Sequence, residues 1–350
     1  MSQRKCRWAM WSLGRIAKRV IKEMKRADTY EIAAVCSSSL EKARQFIDDN
    51  GLAEAAAYTD IRDVLKREDI DVVYVASPPW LHKEQCCRIM DAGKACLVEK
   101  PMTQNAQDAR DIFACAKRNN VFCAEGIWSN YFPAMRKTKE WIREGRIGDV
   151  VEVIATFGCP IETFGNSLSN TAHWGNNLSS GGGTLSQFGC YTVNLAQFVF
   201  NRMPEKILGV SETLPREDGA DLNSSFLFSY DGAGKHAMLS CSWTARTQSV
   251  ARISGTKGEI LIGNPFFCPY HASLYTHQNH LWYNDLEESF DDPYEAEQFE
   301  GFKYQFDAVS RYIMEGKTES DDVPFKHSIE LAQTMENLRR VLKHTAGSKD

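Results

Sequence analysis

Through about residue 125, short apolar runs rich in β-branched and aromatic side chains alternate with stretches whose apolar residues recur at spacings of three and four. The runs at 7–11, 31–36, 71–76, 95–98 and 121–124 read as strands. Ile16, Ala17, Val20, Ile21 and Met24, and later Ala106, Ala109, Ile112, Phe113 and Ala116, mark the buried faces of helices. Strand–helix alternation of this kind predicts a parallel sheet with right-handed crossovers. From about Val150 the pattern changes. Strands at 150–157, 205–210, 222–230, 236–244, 250–253 and 259–261 follow one another, joined by turn residues such as Asp231 and Gly232. Successive strands without helices between them predict an α+β region with a large, mostly antiparallel sheet. Helical periodicity returns at 185–200, 296–314 and 328–344, and the last stretch carries Ile329, Ala332, Met335, Leu338 and Leu342 on one face. The fold class read from the pattern is α/β, with a boundary near residue 128 and a bridging helix over 132–144.

A length of 350 residues agrees with two domains. With 41 Lys+Arg against 46 Asp+Glu, the net charge is −5 and no basic block stands out, which argues against nucleic acid and anionic membranes as partners. No apolar run approaches a membrane span. The short apolar run at 8–13 is followed by basic residues rather than a cleavage site, so no secretory leader is expected. The 11 cysteines form no C-x-x-C pair, which favours reduced thiols in a cytoplasmic protein over a disulfide or zinc framework. His277 and His280 have metal-like spacing but lack matching Cys or carboxylate partners, so no metal is expected.

The stretch 7–17 reads as strand, tight turn and helix start. It approximates the dinucleotide fingerprint G-x-G-x-x-G/A, with Ser12 at the first glycine, Gly14 where backbone approaches a pyrophosphate, Arg15 and Ile16 opening the helix, and Ala17 last. A strand–helix turn without ligand is the plainer alternative, but the placement in the first unit of an alternating domain is the context the motif needs. Residues 1–128 thus read as a Rossmann-type dinucleotide-binding domain, and 129–350 as a substrate-binding and dimerisation domain. The second strand ends in Cys36, Ser37, Ser38 and Ser39, with no carboxylate until Glu41. Absence of the acid that binds ribose hydroxyls favours a 2′-phosphate, received by the serines, Arg15 or Lys42, and so NADP(H) over NAD(H). The same residues also read as a capping box that starts the next helix, Ser38 to Glu41. The fifth strand runs into Glu99, Lys100 and Pro101, which puts a lysine at a strand's carboxyl end, where ligands of parallel sheets bind.

Taken together, the first turn, Ser77 to His82, Glu99-Lys100-Pro101, Glu125 to Trp128, Tyr131 to Ala134, Gly182 to Leu185 leading to Gly189-Cys190-Tyr191, and Ser254 to Gly258 resemble the glucose-fructose oxidoreductase / inositol dehydrogenase family. The dimeric dihydrodiol dehydrogenases and NADP-dependent D-xylose dehydrogenases are the most similar subgroup. The resemblance spans nearly the whole chain. It implies an NADP(H)-dependent dehydrogenase acting on a secondary alcohol or sugar hemiacetal, with a carbohydrate-like or trans-dihydrodiol substrate. Lys100 matches the lysine that holds the reacting oxygen, and Tyr191 the position of a catalytic Tyr. Ser12, Gly14, Ser37, Ser38, Pro78, His82, Glu99 and Trp128 match cofactor positions. A homodimer through the open face of the second sheet is implied as well. Two residues depart from the pattern: Gln187 stands where the family usually has Asp, and Asn130 where the subgroup commonly has Arg.

In an α-helix starting at Thr184, Gln187 and Tyr191 lie four apart on one face. A phenol, with a reference pKa of about 10, needs nearby positive charge such as Lys100 to act as a base at neutral pH. Gln187 takes no proton at any pH and can only orient substrate. Phe157, His173, Trp174 and Trp243 are candidates for the walls of the substrate pocket. Two classes of function follow: an oxidoreductase, favoured by Lys100 and Tyr191, and a cofactor-binding regulator of the same fold, favoured by Gln187.

Overall fold

The computed structural model describes residues 4–230, 234–277, 284–293 and 300–346, so the Asp231-Gly232 turn, His280 and 296–299 of the expected third helix lie outside the described residues. The chain forms two compact units, Met1–Tyr131 with Glu295–Ile329, and Phe132–Tyr294 with Glu330–Asp350. Residues 295–329 thus return to the first unit, an excursion that a linear division at residue 128 does not contain.

In the first unit, β1 (Cys6–Trp11), β2 (Tyr30–Cys36), β3 (Ala56–Tyr58), β4 (Val72–Val75), β5 (Ala95–Glu99) and β6 (Cys123–Gly126) form one all-parallel sheet in the order β3-β2-β1-β4-β5-β6. This is the doubly wound order, whose direction reverses between β1 and β4. Helices α1 (Arg15–Met24), α2 (Leu40–Asn50), α3 (Ile61–Leu65), α4 (His82–Asp91) and α5 (Ala106–Asn119) connect the strands. One face of the sheet buries Ala9, Val73, Val75, Cys96 and Val98 against α3, α4 and α5. The other face projects Trp8, Tyr30 and Tyr74, which need a cover that the connecting helices do not supply alone. Helix α8 (Lys303–Met314) provides it. Phe306 meets Trp8 and Tyr74 edge-on at centroid distances of 5.1 and 5.3 Å, and Trp8 Nε1 donates to Ser310 Oγ at 2.9 Å. Truncating such a buried Phe costs about 3–5 kcal/mol. The approach to α8 is fixed from α1, where the Glu23 carboxylate accepts the Glu300 and Lys303 N–H groups at 2.8 and 3.0 Å.

The second unit contains α6 (Pro133–Arg143), α7 (Cys190–Phe200), most of α9 (Phe325–Ala346) and an eight-stranded sheet. Its strands are β7 (Val150–Gly158), β8 (Lys206–Thr213), β9 (Asp221–Tyr230), β10 (Lys235–Ser242), β11 (Ala251–Gly255), β12 (Gly258–Ile262), β13 (His271–Thr276) and β14 (Asp285–Asp291). The order is β14-β13-β12-β11-β7-β10-β9-β8, and every pairing except β7 with β10 is antiparallel. Strands β3, β13 and β14 are absent from the hydrophobic pattern. β3 has only three residues, and β14 is a polar edge strand in which Asp, Glu and Ser outnumber the apolar positions. Residues 254–258 form the expected hairpin connection between β11 and β12. On one face of the sheet the register aligns Leu208, Leu227, Met238 and Ile154 in a single row across β8, β9, β10 and β7. Leu208 in that row is 63% exposed.

Candidate active site

Ser12 closes the first turn with φ 77°, in the left-handed region that favours glycine, and its N–H donates to Cys36 O at 3.1 Å. Gly14 caps α1 with no side-chain hydrogen bond, and no acidic residue follows in the first turn to offset the positive end of the helix. A Cβ on Gly14 would meet no atom within 4 Å. The glycine therefore answers to open space beside the backbone rather than to packing. Beyond the carboxyl ends of β1, β2 and β4 lies a cleft of about 930 Å³ that gathers Ser12, Ser37, Ser38, Lys42 and Pro78. Arg15 and Ile16 are outside its lining, whose charged residues are Lys18, Lys42, Glu41 and Asp49. The cap of α2 is Ser39, whose Oγ accepts the Lys42 N–H at 3.3 Å. That moves the cap one residue beyond the Ser38 start expected from the capping box and leaves Ser38 exposed. These residues fit a dinucleotide phosphate at an uncapped helix start.

His82 is fully buried, with Nε2 at 2.7 Å from Ser77 O and Nδ1 at 2.9 Å from Met102 O. It ties the exit of β4 to the loop after β5, and burial pushes its pKa below the usual imidazole value. In that loop the Lys100–Pro101 bond is cis. Glu99 accepts from the Tyr74 hydroxyl and, through its other oxygen, from the Lys100 N–H at 3.2 Å. Glu125, which the pattern did not single out as more than part of a motif, accepts the Met102 N–H at 2.9 Å. Burial pushes both carboxyls up, against the hydrogen bonds and the Lys100 charge that pull them down. Lys100 is half-buried at the end of β5. Trp128, 4% exposed, stacks on Phe302 at 4.1 Å and 17°. Asn130 is buried, with Nδ2 at 3.4 Å from His327 Nε2.

In the second unit, 185–189 wind as a π-helical turn before α7 begins, not as the continuous α-helix expected over 185–200. The wider winding moves Gln187 and Tyr191 out of the α-helical four-residue register, and such turns recur at functional sites. The turn starts from a pair of glycines with no room for side chains: a Cβ on Gly182 would strike Gly175 O, and one on Gly183 the Asp221 carboxylate. A Cβ on Gly175 would in turn strike Gln187 Nε2 and the His173 ring, so these two side chains share one spot. His173 Nδ1 accepts the Gly175 N–H at 3.1 Å, which assigns the ring proton to Nε2 and makes that edge a donor. Trp174 stacks beside His173 at 6.0 Å. Tyr191, 8% exposed, leans on Phe157 at 5.9 Å and Phe267 at 5.4 Å, and Phe157 lies between Phe188 and Phe267 at 4.2 and 4.0 Å. Trp243 is wholly buried, behind Phe188 at 6.4 Å. Two residues of this arrangement carried no sequence signal: Phe267 and Asp221 lie far along the chain and come in only through the sheet. Among the described residues no group of three His, Cys, Asp or Glu could hold a metal ion.

A family model described as an oxidoreductase family with an NAD-binding Rossmann fold matches residues 6–127, and the GFO/IDH/MocA C-terminal domain model matches 135–261. The chain belongs to the Gfo/Idh/MocA oxidoreductase family. Trans-1,2-dihydrobenzene-1,2-diol dehydrogenase of Xenopus laevis is 29% identical over 338 residues, covering 94% of this chain and 96% of the relative. The Homo sapiens protein of the same name is 27% identical over 342 residues, covering 96% of each. An aldose-aldose oxidoreductase from Caulobacter crescentus, solved with glycerol, superposes with a TM-score of 0.82 at 23% identity, covering 97% and 98% of the two chains. A 3-ketoreductase from Actinomadura kijaniata, solved with NADP and TDP-benzene, gives 0.80 at 20% identity over the same shares. As a Gfo/Idh/MocA oxidoreductase, the chain binds a nicotinamide dinucleotide through its first unit.

Proposed function

We propose that the protein is an NADP(H)-dependent oxidoreductase acting on a secondary alcohol or hemiacetal of a sugar-like or trans-dihydrodiol substrate, with Lys100 and Tyr191 at the reacting oxygen. The observation that supports the cofactor half is the cleft at the ends of β1 and β2, where serines rather than an acid follow β2 directly and Lys18 and Lys42 line the wall alongside Glu41 and Asp49. Hydroxyls at the strand end with two ammonium groups nearby suit a 2′-phosphate, whereas a carboxylate in the place of Ser37 or Ser38 would repel it. The bound nicotinamide supplies the hydride acceptor or donor. Lys100 holds the substrate oxygen and stabilises the negative charge that develops on it. Tyr191 exchanges the proton with the substrate hydroxyl. Gln187 and the His173 Nε2–H orient substrate as neutral hydrogen-bond groups, and Phe157 with Phe267 offers an apolar wall to a ring.

The exposed Leu208, Leu227 and Met238, with half-buried Ile154 continuing the same row, support a homodimer through that sheet face. Eleven free cysteines, ten of them buried, support a cytoplasmic location. No helix of the described residues is long and apolar enough to cross a membrane. Gln187 in the place of the family Asp favours a second reading, a cofactor-binding regulator. Purified protein with NADP+ or NADPH against aldoses, ketoses, anhydro-sugars and dihydrodiols, followed by nicotinamide absorbance, separates the two. Tight NADPH binding without turnover on any of them would favour the regulator.

A further inference from the structure

The turn that presents Gln187 and Tyr191 is held from below by a residue of a different strand. Asp221, the first residue of β9, is 6% exposed. Its Oδ2 accepts the Leu185 N–H at 2.7 Å and the Ser224 hydroxyl at 3.3 Å. Its carboxylate lies so close to the Cα of Gly183 that only glycine, at φ 105°, fits there. One residue further along, Ser186 Oγ accepts from Arg339 of α9 at 3.4 Å. The first turn is thus gripped by an acid from the sheet and a cation from the last helix. Burying a carboxylate is unfavourable unless its partners compensate, and here they are the exposed N–H donors and positive end of the helix that carries the site.

We propose that Asp221 is a positioning residue for the Gln187–Tyr191 turn: its ionised carboxylate, seated against Gly183 and bonded to Leu185 N–H, fixes the geometry from which Tyr191 reaches the reacting oxygen. This rests on the reading of Tyr191 given above. Burial pushes the Asp221 carboxyl up to about 6, with the Leu185 N–H and the Arg339 charge pulling the other way. The charged and titratable groups around it are Arg339 of α9 and the Cys241 thiol of β10, with Cys190 of α7 and Glu336 of α9 acting on Arg339. The carboxyl is half ionised near pH 6, and the raised value by itself makes the folded chain hold the proton more tightly than the unfolded one. The Leu185 N–H bond lowers it, however, so a turn that opens with Asp221 still buried takes up the proton more readily, and the bond to Leu185 weakens as pH falls through about 6.

The test is Asp221→Asn in the full chain, which keeps size and an acceptor but deletes the charge. Amide exchange of 185–191 at pH 7.5 should quicken at least tenfold relative to the unaltered protein. In the unaltered protein the same segment should loosen between pH 7 and 5, after correction for intrinsic rates, and the variant should lose that dependence. The kcat should fall at least tenfold with the NADPH Kd within twofold, and an acid limb near pH 6 in the kcat profile should disappear. Ser224→Ala, which removes one hydrogen bond to Oδ2, should shift exchange in the same direction by less, and serves if Asp221→Asn does not fold. Unchanged exchange in both variants overturns the anchor, and faster exchange with unchanged kcat overturns its role in positioning Tyr191. If the unaltered protein turns over no substrate, the Tyr191 reading fails, while the exchange result still decides whether Asp221 anchors the turn.

Discussion

Replacing Ser12 by glycine should stabilise the protein and weaken its hold on the dinucleotide. Ser12 sits at φ 77°, where a side chain costs about 1–2 kcal/mol. Glycine removes that cost but returns about 0.4–1 kcal/mol through a more flexible unfolded chain, which leaves a net gain of roughly 0.5–1 kcal/mol. The Ser12 N–H bond to Cys36 O is backbone and survives the exchange. At this size the gain corresponds to a Tm increase of roughly 1–4 °C. The hydroxyl, however, lines the cofactor cleft, and losing one hydrogen bond to the ligand costs about 0.5–1.5 kcal/mol, a two- to tenfold weaker NADPH Kd. Urea unfolding followed by the fluorescence of Trp8 and Trp11, with calorimetric titration of NADPH, measures both. Ser12→Ala is the control, because it loses the hydroxyl but keeps the left-handed cost, and should therefore weaken binding without raising the unfolding midpoint. A lower midpoint for Ser12→Gly, or an equal gain for Ser12→Ala, would refute the strain argument.

Four further outcomes follow from the site. The unaltered protein should bind NADPH at least about tenfold, or 1.4 kcal/mol, more tightly than NADH, and Ser38→Asp should reverse that order; calorimetry finding NADH equal or tighter in the unaltered protein contradicts the reading of the cleft. Lys100→Met keeps the stem and deletes the charge, so cofactor affinity should hold while kcat/KM drops at least about a hundredfold; turnover within a few-fold would make Lys100 an ordinary surface residue. Tyr191→Phe removes one hydroxyl while its packing against Phe157 and Phe267 stays, so folding and NADPH binding should persist while turnover collapses. Gln187→Asp, assayed on the same substrate panel, should lower activity in an enzyme adapted to Gln187; activity that appears only in that variant would instead favour the regulator.

The sequence alone determined whatever depends on local chemistry. Short apolar runs and period-3.6 patterns placed five of the six parallel strands and the helices between them, because a strand buried on both faces reads as a near-continuous apolar run and an amphipathic helix shows its period. The Ser12–Gly14 turn, the serines after β2 and the lysine at the end of β5 were legible because phosphate and strand-end chemistry restrict residue type at short spacing. What the tertiary structure decided are contacts between residues distant in sequence. Helix α8 returns to cover Trp8, Tyr30 and Tyr74, a placement fixed by Phe306 and Ser310 some 300 residues away from β1. The polar strand β14 exists because its backbone pairs with β13, a force that leaves no hydrophobic signature. The π turn at 185–189, against the α-helix the periodicity predicts, also accompanies a long-range contact, that of Asp221 with Gly183 and Leu185. His82 shows the division most clearly: its motif marks it as a cofactor position, while its surroundings set each ring nitrogen beside a backbone carbonyl, Ser77 O and Met102 O. A motif specifies which residue stands at a position, but the free energy of its hydrogen bonds and burial is set by neighbours that only the folded chain brings together.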